Sequence, residues 1–210
     1  MISCTISALD PLPLVAILRG LVPDEAESIG EAIAAAGFLC LEVPLNSPQP
    51  FESIRRLRKA LDGRALVGAG TVLSVEDVAL VADAGGQLCI SPNVNVDVIK
   101  AAKARGLISM PGFFTPSEAF AALSAGADAL KLFPAEICGA KGLKAIKAVL
   151  PKDLRVYAVG GVAPDNIGDW QRAGASGFGI GSSLFKPGQD THTTGQKAAA
   201  FVAALENAER

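Results

Sequence analysis

Three ionisable residues stand in apolar runs where charge is expensive. ALKLFPAE (129–136) sets Lys131 between leucines, CLEVPL (40–45) sets Glu42 between Leu41 and Val43, and LVAILR (14–19) ends on Arg19. An ammonium or carboxylate in such a run loses hydration and is unfavourable unless it is paired or sometimes neutral. A lysine amine in an apolar, partly enclosed site has its pKa lowered toward neutrality and can attack a carbonyl to form a Schiff base, and a nearby carboxylate can then move protons. The alternative is a buried Lys–Glu ion pair beside an arginine. Replacing such a pair with apolar residues is often neutral or stabilising, so burial alone gives little reason to keep it.

The elements that must position these groups recur along the whole chain. Eight short apolar runs, LVAILR (14–19), CLEVPL (40–45), ALVGAG (65–70), QLCISP (87–92), LISMPG (107–112), ALKLFP (129–134), RVYAVGG (155–161) and GFGIGS (177–182), read as strands. Segments of helical periodicity lie between them, such as DEAESIGEAIAAAG, QPFESIRRLRKALDG, SVEDVALVADAGG and PSEAFAALSAGA, several opening on Asp, Ser or Pro and ending at Gly. Strand and helix alternating eight times predicts a single parallel (β/α)8 TIM barrel over residues 1–210, with a flavodoxin-like open sheet as the alternative. PGQDTHTTGQ (187–196) reads as a loop and KAAAFVAALENAER as a closing helix.

Strands covered on both faces should carry almost no charge, and the eight runs carry four charged residues: Arg19, Glu42, Lys131 and Arg155. Arg155 opens its run at the end away from the expected chemistry and reads as solvated. Side chains alternate along a strand, so with Leu41 and Val43 facing the helices Glu42 points into the barrel, and Lys131 does so between Leu130 and Leu132. Arg19 ends its strand at the C-terminal face, where the chemistry of such barrels gathers.

The seventh run ends at Gly160 and Gly161, and the eighth at Gly181, Ser182 and Ser183. Loops after these two strands, with a short helix N-terminus, commonly hold phosphate in such barrels, since bare backbone N–H groups can approach an anion; a tight turn is the other explanation of paired glycines. Thr71, after GAG, reads two ways: as a hydroxyl and N–H donor to a carboxylate, or as the cap of the next helix.

A formal charge of −2 and a pI near 5.5 leave no basic stripe for nucleic acid or an anionic membrane surface, so the expected partner is a small molecule. The single histidine, His192, lies in polar DTHTTGQ, which argues against a Ser-His-Asp triad or a multi-histidine metal site. Cys4, Cys40, Cys89 and Cys138 are far apart and fit reduced core cysteines better than a disulfide frame. The opening MISCTISALDPLPL has neither a charged leader nor a long apolar stretch, and no later run reaches the length of a membrane span. A soluble cytoplasmic protein is expected.

LRG (18–20), EVPLNSP (42–48), GAGTV (68–72), SPN (91–93), PGFFTPSEA (111–119), KLFPAE (131–136), AVGGV (158–162) and GIGSSL (179–184), in that order, resemble the KDPG/KHG aldolases, the 2-keto-3-deoxy-6-phosphogluconate and 4-hydroxy-2-oxoglutarate aldolase family. Within the family the PLNSP version is similar to the branch acting on the phosphogalactonate epimer. The resemblance spans residues 12 to 205 or so. It implies that Lys131 is the Schiff-base lysine, Glu42 the general acid/base, and Arg19, Thr71, Gly160, Gly161, Gly181 and Ser182 substrate contacts, in a homotrimer that needs neither metal nor cofactor.

Two positions depart from the phosphogluconate relatives, which usually carry arginine where this chain has Asn46 and threonine where it has Val159. The two sugar acids differ at C4, whose hydroxyl is deprotonated on cleavage, so exchanging a hydroxyl for an isopropyl group there bears on the preferred epimer. The activity implied is retro-aldol cleavage of the phosphogalactonate substrate to pyruvate and glyceraldehyde 3-phosphate. The rivals are the gluconate-type activity, a phosphosugar isomerase or synthase with Glu42 as base, and a catalytically silent phosphosugar-binding barrel.

Overall fold

A computed structural model describes residues 2–208. A short 3-10 turn (Ile6–Leu9) precedes β1 (Leu14–Ile17), α1 (Pro23–Ala35), β2 (Cys40–Pro44), α2 (Pro50–Ala60), β3 (Leu66–Gly70), α3 (Val75–Asp83), β4 (Leu88–Ile90) and α4 (Val96–Ala104). There follow β5 (Ile108–Met110), β6 (Gly112–Phe113), α5 (Pro116–Ser124), β7 (Leu130–Leu132), α6 (Ala135–Lys147), β8 (Val156–Val159), α7 (Ile167–Arg172), β9 (Gly177–Ile180) and α8 (Thr191–Ala208). The sheet order is β5-β4-β3-β2-β1-β9-β8-β7-β6, with every pairing parallel.

Eight runs therefore yield nine strands, because the fifth run is cut at Pro111. Proline has no N–H to give a ladder, yet its carbonyl still accepts from Lys131 N at 2.9 Å. The first part of that run pairs with β4 and the last part with β7, so the chain itself closes the ring. The architecture is the expected TIM barrel.

Alternation sorts the side chains as expected. Leu41, Val43, Leu130 and Leu132 pack outward among the helices, whereas Val15, Cys40, Leu66, Leu88, Ile108 and Tyr157 fill the interior, and Leu9 plugs its lower end. Each fully buried leucine contributes on the order of 1.5–3 kcal/mol, which makes the register of a strand expensive to shift. Helix entry is fixed locally: Ser74 with Asp77 and Thr115 with Glu118 form capping boxes, and the Asn95 side chain caps α4.

Three expectations need correction. The stretch 187–196 is a loop only as far as Asp190: Thr191 to Gln196 form the first turns of α8, with Asp190 Oδ1 accepting from Thr193 N at 2.8 Å. The polar, β-branched composition hid a good N-cap. Arg155 is not simply solvated, for its guanidinium forks onto Asp10 at 2.9 and 2.7 Å below the barrel. Of the cysteines only Cys40 and Cys89 are buried; Cys138 is half-buried on α6 and Cys4 is exposed, and all four are free.

Candidate active site

Glu42 lies in the middle of β2, opposite Ile17 of β1 and Gly68 of β3, and only 2 % of its surface is exposed. Among the described residues its Oε2 has no hydrogen-bond partner. Burial pushes its pKa up to about 6, while Lys131 and Arg19 pull it back. Lys131, central in β7, is 7 % exposed; burial lowers its pKa, the Glu42 charge opposes that, and Arg19 adds to it. Its Nζ stands 4.9 Å from the centroid of the Phe133 ring.

Amine and carboxylate thus share one interior and influence each other's protonation, but among the described residues no salt bridge or hydrogen bond joins them. The ion-pair reading is not realised. An uncommitted carboxyl group titrating near neutrality beside an amine with a depressed pKa is what proton shuttling and amine attack require. Around the pair the barrel is apolar, lined by Ile17, Ile90, Met110, Tyr157 and Val159.

Above them opens a cleft of about 600 Å³ at the C-terminal end of the strands, within the usual size range of small-molecule sites. Lys131 is in its floor. Arg19, Asn46 and Val159 line it, and so do Gly160, Gly161, Gly181 and Ser182. Arg19 Nη1 donates to Asn46 Oδ1 at 2.6 Å, and Gly20 N donates to Ser47 Oγ at 2.9 Å, so the loops after β1 and β2 are tied together.

On the opposite wall, Gly160 and Gly161 have φ of +111° and +68°, a conformation that a side chain would strain. Asn166 holds their turn, accepting from Ala163 N and donating to Gly161 O, and Ser183 Oγ donates to Val162 O at 3.0 Å, joining the β8 and β9 loops. Gly181 differs. Its φ is not left-handed and a Cβ there would meet nothing within 4 Å, so neither backbone nor packing demands glycine. The open space it faces is the cleft. Instead of the short helix expected, a tight turn follows, with Leu184 N and Phe185 N donating to Gly181 O.

Thr71 does not cap the next helix, a role taken by Ser74. It is held at φ +58°, a strained conformation for threonine, and does not line the open cleft. Sequence reasoning passed over Lys186, a cation lining the cleft beside Ser182. It also passed over Gly70, whose Cα lies against the Glu42 carboxyl group. Lys186 follows the strand-end glycines closely enough to have been found. Nothing local marks Gly70 apart from other strand glycines.

A profile of the KDPG and KHG aldolases matches residues 5–196. The chain belongs to that family. It is 50% identical to the probable 2-dehydro-3-deoxy-6-phosphogalactonate aldolase of Rhizobium meliloti (strain 1021) over 92% of each chain. It is 50% identical to the 2-dehydro-3-deoxy-6-phosphogalactonate aldolase of Escherichia coli (strain K12), over 94% of this chain and 96% of that one. A solved structure of native KDPGal superposes with a TM-score of 0.93 at 49% identity, covering 94% of this chain and 96% of the other.

Proposed function

We propose that the chain, as one (β/α)8 domain, is a class I aldolase that cleaves 2-dehydro-3-deoxy-6-phosphogalactonate to pyruvate and D-glyceraldehyde 3-phosphate, in the breakdown of galactonate. The observation that carries the reading is the unpaired Lys131 amine and Glu42 carboxyl group in one barrel interior beneath an open cleft. The names of the half-identical relatives support the substrate, and so do Asn46 and Val159, where the gluconate-type relatives usually differ.

The neutral Lys131 amine attacks the C2 carbonyl carbon, and the carbonyl π electrons move to oxygen. Glu42 supplies the proton on which water leaves, giving the protonated imine. As a carboxylate it then takes the C4 hydroxyl proton, the C3–C4 electron pair flows into the iminium, and glyceraldehyde 3-phosphate departs. The remaining enamine is protonated at C3 and hydrolysed, releasing pyruvate and the amine. Arg19 in the cleft wall holds the substrate carboxylate, with Thr71 as a second donor from the end of β3 beside Glu42 rather than from the open cleft, and the glycine loops hold the phosphate, so that binding remote from the breaking bond fixes its orientation.

We infer a homotrimer, supported by apolar side chains exposed on or just before α3, α5 and α6, among them Leu73, Val75, Leu80, Phe114, Phe120 and Ile137. Light scattering measures the mass. Among the described residues no helix is long and apolar enough to cross a membrane. A phosphorylated substrate, which does not cross bilayers, supports a cytoplasmic location.

The decisive experiment is a coupled assay of pyruvate release from both C4 epimers of the 6-phosphate substrate, together with borohydride treatment in the presence of pyruvate and peptide mass mapping. Faster release from the galactonate epimer and an adduct on Lys131 are expected. No adduct would discard the Schiff base; turnover of the gluconate epimer alone would reassign the substrate.

A further inference from the structure

We propose that Gly70 is a positioning residue, whose missing side chain forms the seat that holds the Glu42 carboxyl group in place. The inference rests on the acid–base role given above to Glu42. A Cβ built on Gly70 would overlap that carboxyl group: its three nearest heavy atoms are Oε2, Cδ and Oε1 of Glu42, the last at 2.6 Å. No other residue supplies any of the three.

Other reasons for glycine are missing here. Gly70 does not adopt a left-handed φ, so the backbone does not demand it. It ends β3 in ordinary register, opposite Pro44 of β2. Gly68 on β3 and Gly177 on β9 are explained by packing: a Cβ on Gly68 would strike Leu88, and one on Gly177 would strike Tyr157 and the Pro13 carbonyl. Only at Gly70, among these three, is the neighbour a group with a chemical task.

The Glu42 side chain needs such a seat because hydrogen bonds do not supply one. Among the described residues its buried Oε2 has no partner, so no hydrogen bond fixes that oxygen and the contact with Gly70 helps to select the rotamer. Any side chain at position 70 drives the carboxyl group off that rotamer. General acids and bases work only within hydrogen-bond reach of the proton they move, and a displacement of about 1 Å can lower a rate on the order of 10²-fold.

Two cycles of variants test this. In the first, cleavage is followed in Gly70→Ala, Glu42→Gln and the double variant. Gly70→Ala should lower kcat about 10²-fold with little change in KM and displace the acidic limb of the pH profile, and in the Glu42→Gln background it should cause no further loss. In the second, thermal unfolding is measured for Gly70→Ala in the parent and in Glu42→Ala. The substitution should lower the midpoint only where the carboxyl group is present, and should a parental Gly70→Ala fail to fold, folding in the Glu42→Ala background is the expected result.

An equal stability loss in both backgrounds, a failure to fold in both, or near-parental turnover with an unmoved pH limb would overturn the proposal. Losses that multiply in the first cycle would do so too, since they would mark a general structural defect. Near-normal turnover of Glu42→Gln by itself is the separate sign that the acid–base role of Glu42 is wrong, and it removes the catalytic meaning of the seat with it.

Discussion

The Arg19 guanidinium is held from the side by Asn46: Nη1 donates to Asn46 Oδ1 at 2.6 Å across the loops that follow β1 and β2. A neutral acceptor aims the cation without cancelling its charge, which leaves the guanidinium available to an anion in the cleft. A second arginine at position 46 would instead set two cations side by side.

Asn46→Ala should therefore raise the KM for the keto acid about fivefold, the loss of roughly 1 kcal/mol of hydrogen bonding, with a smaller effect on kcat. Steady-state kinetics read both constants. An unchanged KM would show that Arg19 keeps its aim without Asn46.

Lys131→Met should abolish cleavage and borohydride trapping of pyruvate while leaving the fold intact. Methionine keeps much of the volume and removes an amine that is only 7 % exposed, so the thermal midpoint should hold or rise. Circular dichroism and thermal unfolding check this. An unfolded variant would make the lysine mainly structural.

Glu42→Gln keeps the shape and removes the proton carrier, so kcat should fall on the order of 10²- to 10⁴-fold. The parental kcat/KM should decline below about pH 6, where Glu42 takes up its proton. The same group shapes stability. Its folded-state pKa is raised from 4.5 to about 6, so its favourable contribution is complete below the lower value and is lost as pH rises through the upper one. Glu42→Gln should accordingly gain on the parent by about 2 kcal/mol between pH 4 and pH 7 in denaturant titrations. A constant difference across that range would mean that Glu42 titrates normally.

Gly181→Val should raise KM for the phosphorylated substrate far more than Ser182→Ala, because the valine fills space next to the cleft while the alanine removes one hydroxyl. An analogue lacking the phosphate should be cleaved poorly by the parent and no worse by Gly181→Val. Equal damage toward both substrates would move the phosphate away from the β9 loop.

The strands were legible because an element buried on both faces must be apolar, and that rule made Lys131, Glu42 and Arg19 conspicuous as exceptions. Period-two alternation was enough to turn Glu42 and Lys131 inward, since Leu41, Val43, Leu130 and Leu132 could be satisfied only by the helices. The glycines after β8 and β9 stood out by position, but not by cause. Tertiary structure separated the left-handed Gly160 and Gly161 from Gly181, which borders open space.

Contacts between distant segments were not legible, because no local pattern encodes them. The Arg19–Asn46 bond joins residues 27 apart, Asp10 reaches Arg155 across 145 residues, and Gly70 meets the carboxyl group of Glu42 only once β2 and β3 are in register. Residue types and their two-residue period determined which groups are buried and which way they face. The relation of Lys131 to Glu42, near enough to perturb each other's protonation yet without an ion pair, depends on barrel closure and on the space that Gly70 leaves, and only the assembled fold decides it.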